Sequence, residues 1–270
     1  MIDAEEVCMM RKQTVKKEKF SCQRESMTIR GHVFGNPETA KTAVILSHGF
    51  LANEKMCEDY AVLMAEQGAL AVTFDYCGGG LRCSSDGKTE DMTVMTETAD
   101  LLAVIYSVKK KYRNKKIILL GCSQGGFVSG LTAKMLGKEI IAGLILLYPA
   151  VCIPDDARRG KMMFYSFDPD NIPDVLGRIP MKLGGEYARC VIHMDPYEEM
   201  AGYEGPVLLM HGTEDDIVDI SYARKLKEIY PSCAYLELPG AGHGFKGRDD
   251  LKACHAICGF LQRMNGKQYV

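Results

Sequence analysis

Short apolar runs alternate with amphipathic stretches along most of the chain. Residues 15–34 read as an antiparallel strand pair with Ile29 and Val33 in its second arm, followed by a turn at Gly35-Asn36-Pro37. Ala43-Val44-Ile45-Leu46 is a compact apolar run that ends at Ser47-His48-Gly49. Residues 55–67 fit a helix, with Tyr60, Leu63 and Met64 at helical spacing and Gly68 as its stop. Ala69 to Phe74 is the next apolar run, closing on Asp75 and a Gly78-Gly79-Gly80 loop. Residues 92–111 predict a long amphipathic helix with Met95, Leu101, Leu102, Ile105 and Val108 on one face. Lys109, Lys110 and Lys111 fall in its last turn, where cations complement the helix dipole. Ile117 to Leu120 is a strand, residues 124–136 a helix and Ile140 to Leu147 a strand. Further on, Val207 to Met210 and Ala234 to Leu238 are strands, and residues 219–229 and 249–263 are helices.

Apolar strands alternating with helices predict crossover units, hence an α/β fold with a mainly parallel sheet covered on both faces. Residues 152–203 break the rhythm. They carry Pro154, Pro169, Pro173, Pro180 and Pro196, yet Met162, Met163, Phe164, Tyr165 and Phe167 make them too apolar for a disordered linker. The expected organisation is a core of residues 1–151 and 204–270 with an inserted cap at 152–203.

Composition narrows the class. The 270 residues carry 33 basic and 35 acidic side chains, a net charge of −2, which speaks against nucleic-acid binding. No apolar run reaches the roughly 18–20 residues that span a bilayer, so no membrane partner is expected. The N-terminus, MIDAEEVCMMRKQTVKKEKF, lacks the apolar centre of a secretory leader. Eleven scattered cysteines read as reduced thiols of a cytoplasmic protein rather than a disulfide framework.

The chemistry centres on Gly121-Cys122-Ser123-Gln124-Gly125, a G-x-S-x-G pattern between a strand and a helix. Glycines permit a turn sharp enough to project a nucleophilic hydroxyl, and the helix behind it favours negative charge there. The alternative is a glycine-rich turn with a capping serine. A serine needs a base. Of six histidines, His243 lies in a glycine-rich loop after the last strand and fits the order Ser, acid, His; His255 is second. The acid should come from His211-Gly212-Thr213-Glu214-Asp215-Asp216-Ile217-Val218, where spacing does not choose between Asp215 and Asp216. Backbone N–H groups of Gln124 and Phe50 are the candidate oxyanion donors. Cys122, at the x position of the turn, should point into the fold. Gly78-Gly79-Gly80 lacks the lysine and spacing of a phosphate loop, and Cys254-His255 with Cys258 lacks zinc-ligand spacing. No metal and no cofactor are expected.

On His48-Gly49-Phe50, the Ser123 turn, the 211–218 segment and Gly242-His243, residues 40–265 resemble the α/β-hydrolase superfamily. Phe74-Asp75-Tyr76, Ser84-Ser85-Asp86-Gly87, Gly126 and Leu183-Gly184-Gly185-Glu186-Tyr187 make the chain most similar to the bacterial cinnamoyl and feruloyl esterases. The resemblance implies an α/β-hydrolase fold with a cap and a serine carboxylesterase acting through an acyl-enzyme, with hydroxycinnamoyl esters as substrates. It implies Asp215 as the acid, with Asp216 as fallback, and Asp156 and Tyr187 as contacts to the phenolic hydroxyl. The plain alternatives are a solvated Asp156 beside Arg158 and Arg159 and a packed Tyr187 ring. The expected partners are a small-molecule ester and at most a second copy of the chain. Competing readings are a serine peptidase of the same fold acting on short peptides, and a non-catalytic binding module.

Overall fold

The computed structural model describes residues 15–266. The reading of the N-terminus as lacking a leader rests largely on residues 1–14 and lies outside the described residues. Strands β1 (Lys17–Arg24) and β2 (Met27–Phe34) form the expected antiparallel pair. Then come β3 (Thr42–Ser47), α1 (Glu58–Glu66), β4 (Leu70–Phe74), α2 (Val94–Lys111), β5 (Lys116–Cys122), α3 (Gln124–Leu136) and β6 (Ile141–Leu147). These elements fall within a few residues of where the hydrophobic pattern places them.

The main sheet has the strand order β1-β2-β4-β3-β5-β6-β11-β12, with β11 (Val207–Gly212) and β12 (Cys233–Leu238) supplied from beyond the insertion. Everything from β4 to β12 pairs in parallel; β1 and β2 add an antiparallel edge. The central strands read as continuous apolar runs because both sheet faces are covered. Alternate residues therefore enter two different clusters. Ile45, Val72, Leu119 and Leu209 pack with Leu101 and Val104 of α2 and Phe127 of α3. Val44, Ala71, Ile118 and Met210 pack with Met64 of α1 and with Ile257 and Phe260 of α8 (Arg248–Met264).

Helix α2 corrects one expectation. Its buried residues are Val94, Glu97, Thr98, Asp100, Leu101, Val104, Ile105 and Val108, while Met95 is exposed and Leu102 only half-buried. The stripe is rotated relative to a reading by apolar residues alone, because three polar side chains, Glu97, Thr98 and Asp100, hold buried positions. Thr93 caps the helix start, accepting from the Thr96 N–H.

Between β6 and β11 the chain forms α4 (Ile153–Arg158), two two-stranded pairs, α5 (Glu186–Arg189) and α6 (Pro196–Met200). The small pairs are β7 (Lys161–Met162) with β8 (Tyr165–Ser166), and β9 (Val175–Gly177) with β10 (Leu183–Gly184). None of these strands joins the main sheet. Helix α7 (Ile220–Leu226) follows β11. Among the described residues, no helix is long and apolar enough to cross a membrane.

Candidate active site

Ser123 sits where β5 turns into α3, with φ 53° and ψ −122°. A non-glycine residue in that region stores strain on the order of 1–3 kcal/mol, which the flanking packing must hold. The packing leaves no alternative at the two glycines. A Cβ on Gly121 would lie 2.2 Å from the Gly125 carbonyl oxygen, and one on Gly125 would lie 2.4 Å from the carbonyl oxygens of Ser47 and His48. Cys122 is buried beneath the turn, as its place in the pattern requires.

The structure brings three distant residues together. His243 Nε2 lies 3.0 Å from Ser123 Oγ, and His243 Nδ1 lies 2.8 Å from Asp215 Oδ2. The Asp215 carboxylate is fully enclosed, whereas the His243 side chain is 19% exposed. Asp215 Oδ1 accepts the backbone N–H groups of Ile217 and Val218, each at 2.9 Å. Burial alone would raise the Asp215 carboxyl. Hydrogen bonds from His211, His243 and the Val218 N–H outweigh burial and hold it well below the usual carboxylate range. Asp216 is exposed on the outside of the same loop and lines an outer groove with Arg159 and Lys161. His255 lies on α8, exposed and far along the chain from this loop. Tyr148, at φ 38°, sets its ring edge-on to His243 with centroids 4.8 Å apart, which limits how the imidazole can swing.

The turn after β3 lies against the serine: a Cβ on Gly49 would be 3.1 Å from Ser123 Cβ. His48 is buried and orders this turn. Its Nδ1–H donates to the Gly49 carbonyl at 2.9 Å, and its Nε2 accepts the Tyr76 N–H at 3.2 Å. Phe50, Ser123 and Gln124 line one cavity together with Ala150, Ile153 and Met162. Asp156 and Tyr187 line it too, and Asp156 is its only charged residue among the described residues.

These last two side chains are already engaged. Asp156 accepts from Arg159 at 2.6 Å. The Tyr187 hydroxyl donates to Gln124 Oε1, and its ring packs on Phe50 with centroids 5.5 Å apart.

Comparisons with known proteins bear on the family and the fold. A family model described as serine aminopeptidase, S33 (Hydrolase_4) matches residues 38–174, about half of the chain. The chain belongs to this family of α/β-hydrolases. Esterase LipC of Mycobacterium tuberculosis is 33% identical over 230 residues, covering 77% of this chain and 54% of that protein. An α/β-hydrolase domain-containing protein 17C of Xenopus tropicalis is 25% identical over 213 residues, covering 76% and 56%. The chain thus spans about half the length of the curated relatives it matches. Among solved structures, Est1E of Butyrivibrio proteoclasticus with ferulic acid bound superposes with a TM-score of 0.84 at 29% identity, covering 92% of this chain and all of that one. The Pyrococcus furiosus esterase Pf2001 superposes with a TM-score of 0.70 at 18% identity, over 92% and 93% of the two chains, and shows the shared fold.

Two buried polar residues of this α/β-hydrolase escaped the sequence reading. His211 stands behind Asp215. Glu97 on α2 stands behind Gln124 and accepts its side-chain N–H at Oε2, 2.7 Å away. Gln124 therefore has both ends of its amide occupied, by Tyr187 and by Glu97, beside the N–H that is the candidate oxyanion donor. Burial, with nearby Asp100 adding, pushes the Glu97 carboxyl well above the usual carboxylate range despite the Gln124 bond, so it keeps its proton to higher pH than a free carboxyl does. Unfolded, the same group ionises near pH 4.3, so the folded state holds a proton that the unfolded state releases at higher pH. Stability therefore falls as pH rises above about 4.3 towards the folded value. Glu97→Gln keeps the shape and the acceptor but removes the titration. It is expected to raise the melting temperature relative to the parent at pH 8 and to lose that advantage by pH 4. Equal shifts at both pH values would contradict a raised Glu97 carboxyl.

His48, Asp75 and Cys83 bring one potential metal-ligand atom each within 4.8 Å of one another. Two of the three are already engaged. Both His48 nitrogens are bonded as above, and Asp75 accepts from the Glu54 N–H at 2.7 Å and from Ser84 Oγ at 2.8 Å. This cluster braces the turn before Phe50 instead.

Proposed function

We propose that the protein is a serine carboxylesterase that acts through an acyl-enzyme on hydroxycinnamoyl-type esters. One observation carries the reading: a serine, an imidazole and a carboxylate are hydrogen-bonded in series, 3.0 Å and 2.8 Å, at the wall of a largely apolar cavity. In this reading His243 Nε2 takes the proton of Ser123 Oγ as the oxygen attacks the ester carbonyl carbon. The N–H groups of Phe50 and Gln124 stabilise the tetrahedral oxyanion. The imidazolium, steadied by Asp215, returns the proton to the departing alcohol. Water, deprotonated by the same imidazole, then releases the acid and frees the serine.

Several features support the substrate class. The cavity is walled by Phe50, Ala150, Ile153, Met162 and the Tyr187 ring, surfaces that suit a flat apolar acyl group. Asp156 is a carboxylate acceptor at its wall, suited to a phenolic O–H. The likeness to Est1E, solved with ferulic acid bound, points the same way. Residues 152–203 supply Asp156, Met162 and Tyr187, and they act in this reading as a cap over the acyl group. Its Tyr187 contributes a ring wall, because its hydroxyl is held by Gln124. Among the described residues Cys57, Cys77, Cys122 and Cys152 are buried free thiols, in keeping with a reducing, cytoplasmic setting.

A panel tests the reading: methyl ferulate, methyl cinnamate without the phenol, methyl butyrate, and the amide matched to ferulate. The expected order of kcat/KM is ferulate, cinnamate, butyrate, with the amide lowest. Asp156→Asn should narrow the ferulate-to-cinnamate ratio about tenfold, the worth of one hydrogen bond to a charged acceptor. An amide turned over as fast as the ester would favour a peptidase instead. Butyrate ahead of both aromatics would remove the substrate class.

A further inference from the structure

His211 ends β11, the strand that leads into the loop carrying Asp215. Its side chain is completely enclosed. Its Nε2 lies 2.8 Å from the Val218 carbonyl oxygen and 3.1 Å from Asp215 Oδ2. Both neighbours are acceptors, so Nε2 carries the hydrogen and shares it between them. Asp215 Oδ2 thereby faces two imidazole N–H groups, from His243 at 2.8 Å and from His211 at 3.1 Å. With Oδ1 held by two backbone N–H groups, every lone-pair direction of this carboxylate has a donor.

We propose that His211 is a positioning residue for the hydrolytic reaction, one that clamps the carboxylate which in turn orients His243. The proposal rests on the Ser123–His243–Asp215 reading above. Three observations carry it beyond packing. The imidazole bonds the acid and, through Val218, the far end of the loop that carries the acid, so one side chain fixes both. Its other nitrogen, Nδ1, is buried with no partner, a loss that an apolar side chain of similar size would avoid. A polar ring kept there despite an orphaned nitrogen points to work done by Nε2. Finally, among the described residues no side chain but the two imidazoles donates to the carboxylate, so without His211 only the backbone N–H groups and His243 itself hold its orientation.

The charged neighbours are few. Asp219, the cap of α7, acts on His211 electrostatically. Glu237, opposite His211 on β12, is tied to Arg224 at 2.8 Å. Tyr148 flanks His243. None of them competes for Asp215 Oδ2.

The test uses the full chain with a chromogenic acyl ester across pH 5–9. His211→Leu keeps bulk and removes the donor. His211→Gln places an amide N–H at about the reach of Nε2. The leucine variant should lose on the order of 10–100-fold in kcat with KM within about twofold, the range for one hydrogen bond to a charged group. Its acid limb in kcat/KM should move to higher pH, because a carboxylate shared with one imidazole instead of two stabilises the His243 imidazolium more strongly. The glutamine variant should recover kcat to within about threefold and restore the limb. A folded leucine variant with parental kcat and limb overturns the proposal. So does equal loss in both variants that tracks a fall in melting temperature. Should the leucine variant not fold, nitrogen-15 NMR of the imidazoles in the parent protein decides: His211 protonated on Nδ1 rather than Nε2 ends it. Failure of the underlying reading looks different, since a fluorophosphonate would then leave Ser123 of the parent unlabelled.

Discussion

Ser123→Ala is expected to lower kcat for a chromogenic acyl ester by roughly 10⁶-fold while the protein stays folded. The substitution removes one oxygen and the hydrogen bond of 3.0 Å to His243 Nε2. It leaves the Cβ, so the tight approach of Gly49 to that carbon is unchanged. Alanine meets the same backbone penalty as serine at φ 53°, so no strain is added. Ser123 is 9% exposed, and His243 can bond water in place of its hydroxyl. Stability should therefore change by less than about 1 kcal/mol. What remains is water attack helped by the oxyanion donors and by binding, roughly 10³–10⁴ above the uncatalysed reaction. Steady-state kinetics paired with fluorophosphonate labelling gives the result. Activity within tenfold of the parent, in protein shown to be free of contaminating esterase, would place the nucleophile elsewhere.

That expectation was largely legible in the chain itself. The sheet is readable because strands buried on both faces are continuous apolar runs, and the Ser123 turn is readable because only glycine tolerates contacts such as the 2.2 Å approach at Gly121. His243 followed from chain order and a glycine-rich loop. Asp215 against Asp216 did not follow from spacing, since two adjacent carboxylates in a loop point to opposite sides. The choice lies in the loop backbone, where the N–H groups of Ile217 and Val218 turn Asp215 inwards.

Glu97 and His211 were hidden for a different reason. Each is polar at a position that pattern reading assigns to packing, and pattern reading treats a charge on a helix as solvent-facing. Glu97 left a trace: it falls on the stripe of Val94, Leu101, Val104 and Ile105, so a strictly angular count would have turned it inwards. His211 left one as well, a histidine at the end of an apolar strand four residues before the acid. Neither trace names a partner, because Gln124 and Asp215 meet them only after the sheet assembles. The short elements of 152–203 were illegible individually, since two- and three-residue strands carry no periodicity.

Asp215→Asn is expected to lower kcat by about 10⁴-fold with little change in KM. The hydrogen-bond pattern determines how the amide must sit. Two backbone N–H groups at 2.9 Å require an acceptor at the Oδ1 position, so the amide oxygen stays there. The amide nitrogen is then forced into the Oδ2 position, facing His243 Nδ1 at 2.8 Å and His211 Nε2 at 3.1 Å. Donor meets donor twice. His243 escapes by moving its hydrogen to Nε2, which leaves no lone pair there to accept the Ser123 proton. Substrate contacts are untouched, which is why KM holds. Stability shifts with a definite sign. The folded Asp215 carboxyl titrates well below its unfolded value near 3.9, so its contribution is full above that pH and is lost as pH falls below it. The asparagine variant lacks this contribution at neutral pH. Its deficit against the parent should be largest above about pH 5 and shrink on acidification through the unfolded carboxyl range. Kinetics at pH 7 and denaturant melts between pH 3 and 7 supply both readings. A loss below tenfold in kcat would mean that another carboxylate steadies His243, with Asp216 the first to examine; a deficit that does not shrink in acid would mean that Asp215 is not ionised in the folded protein.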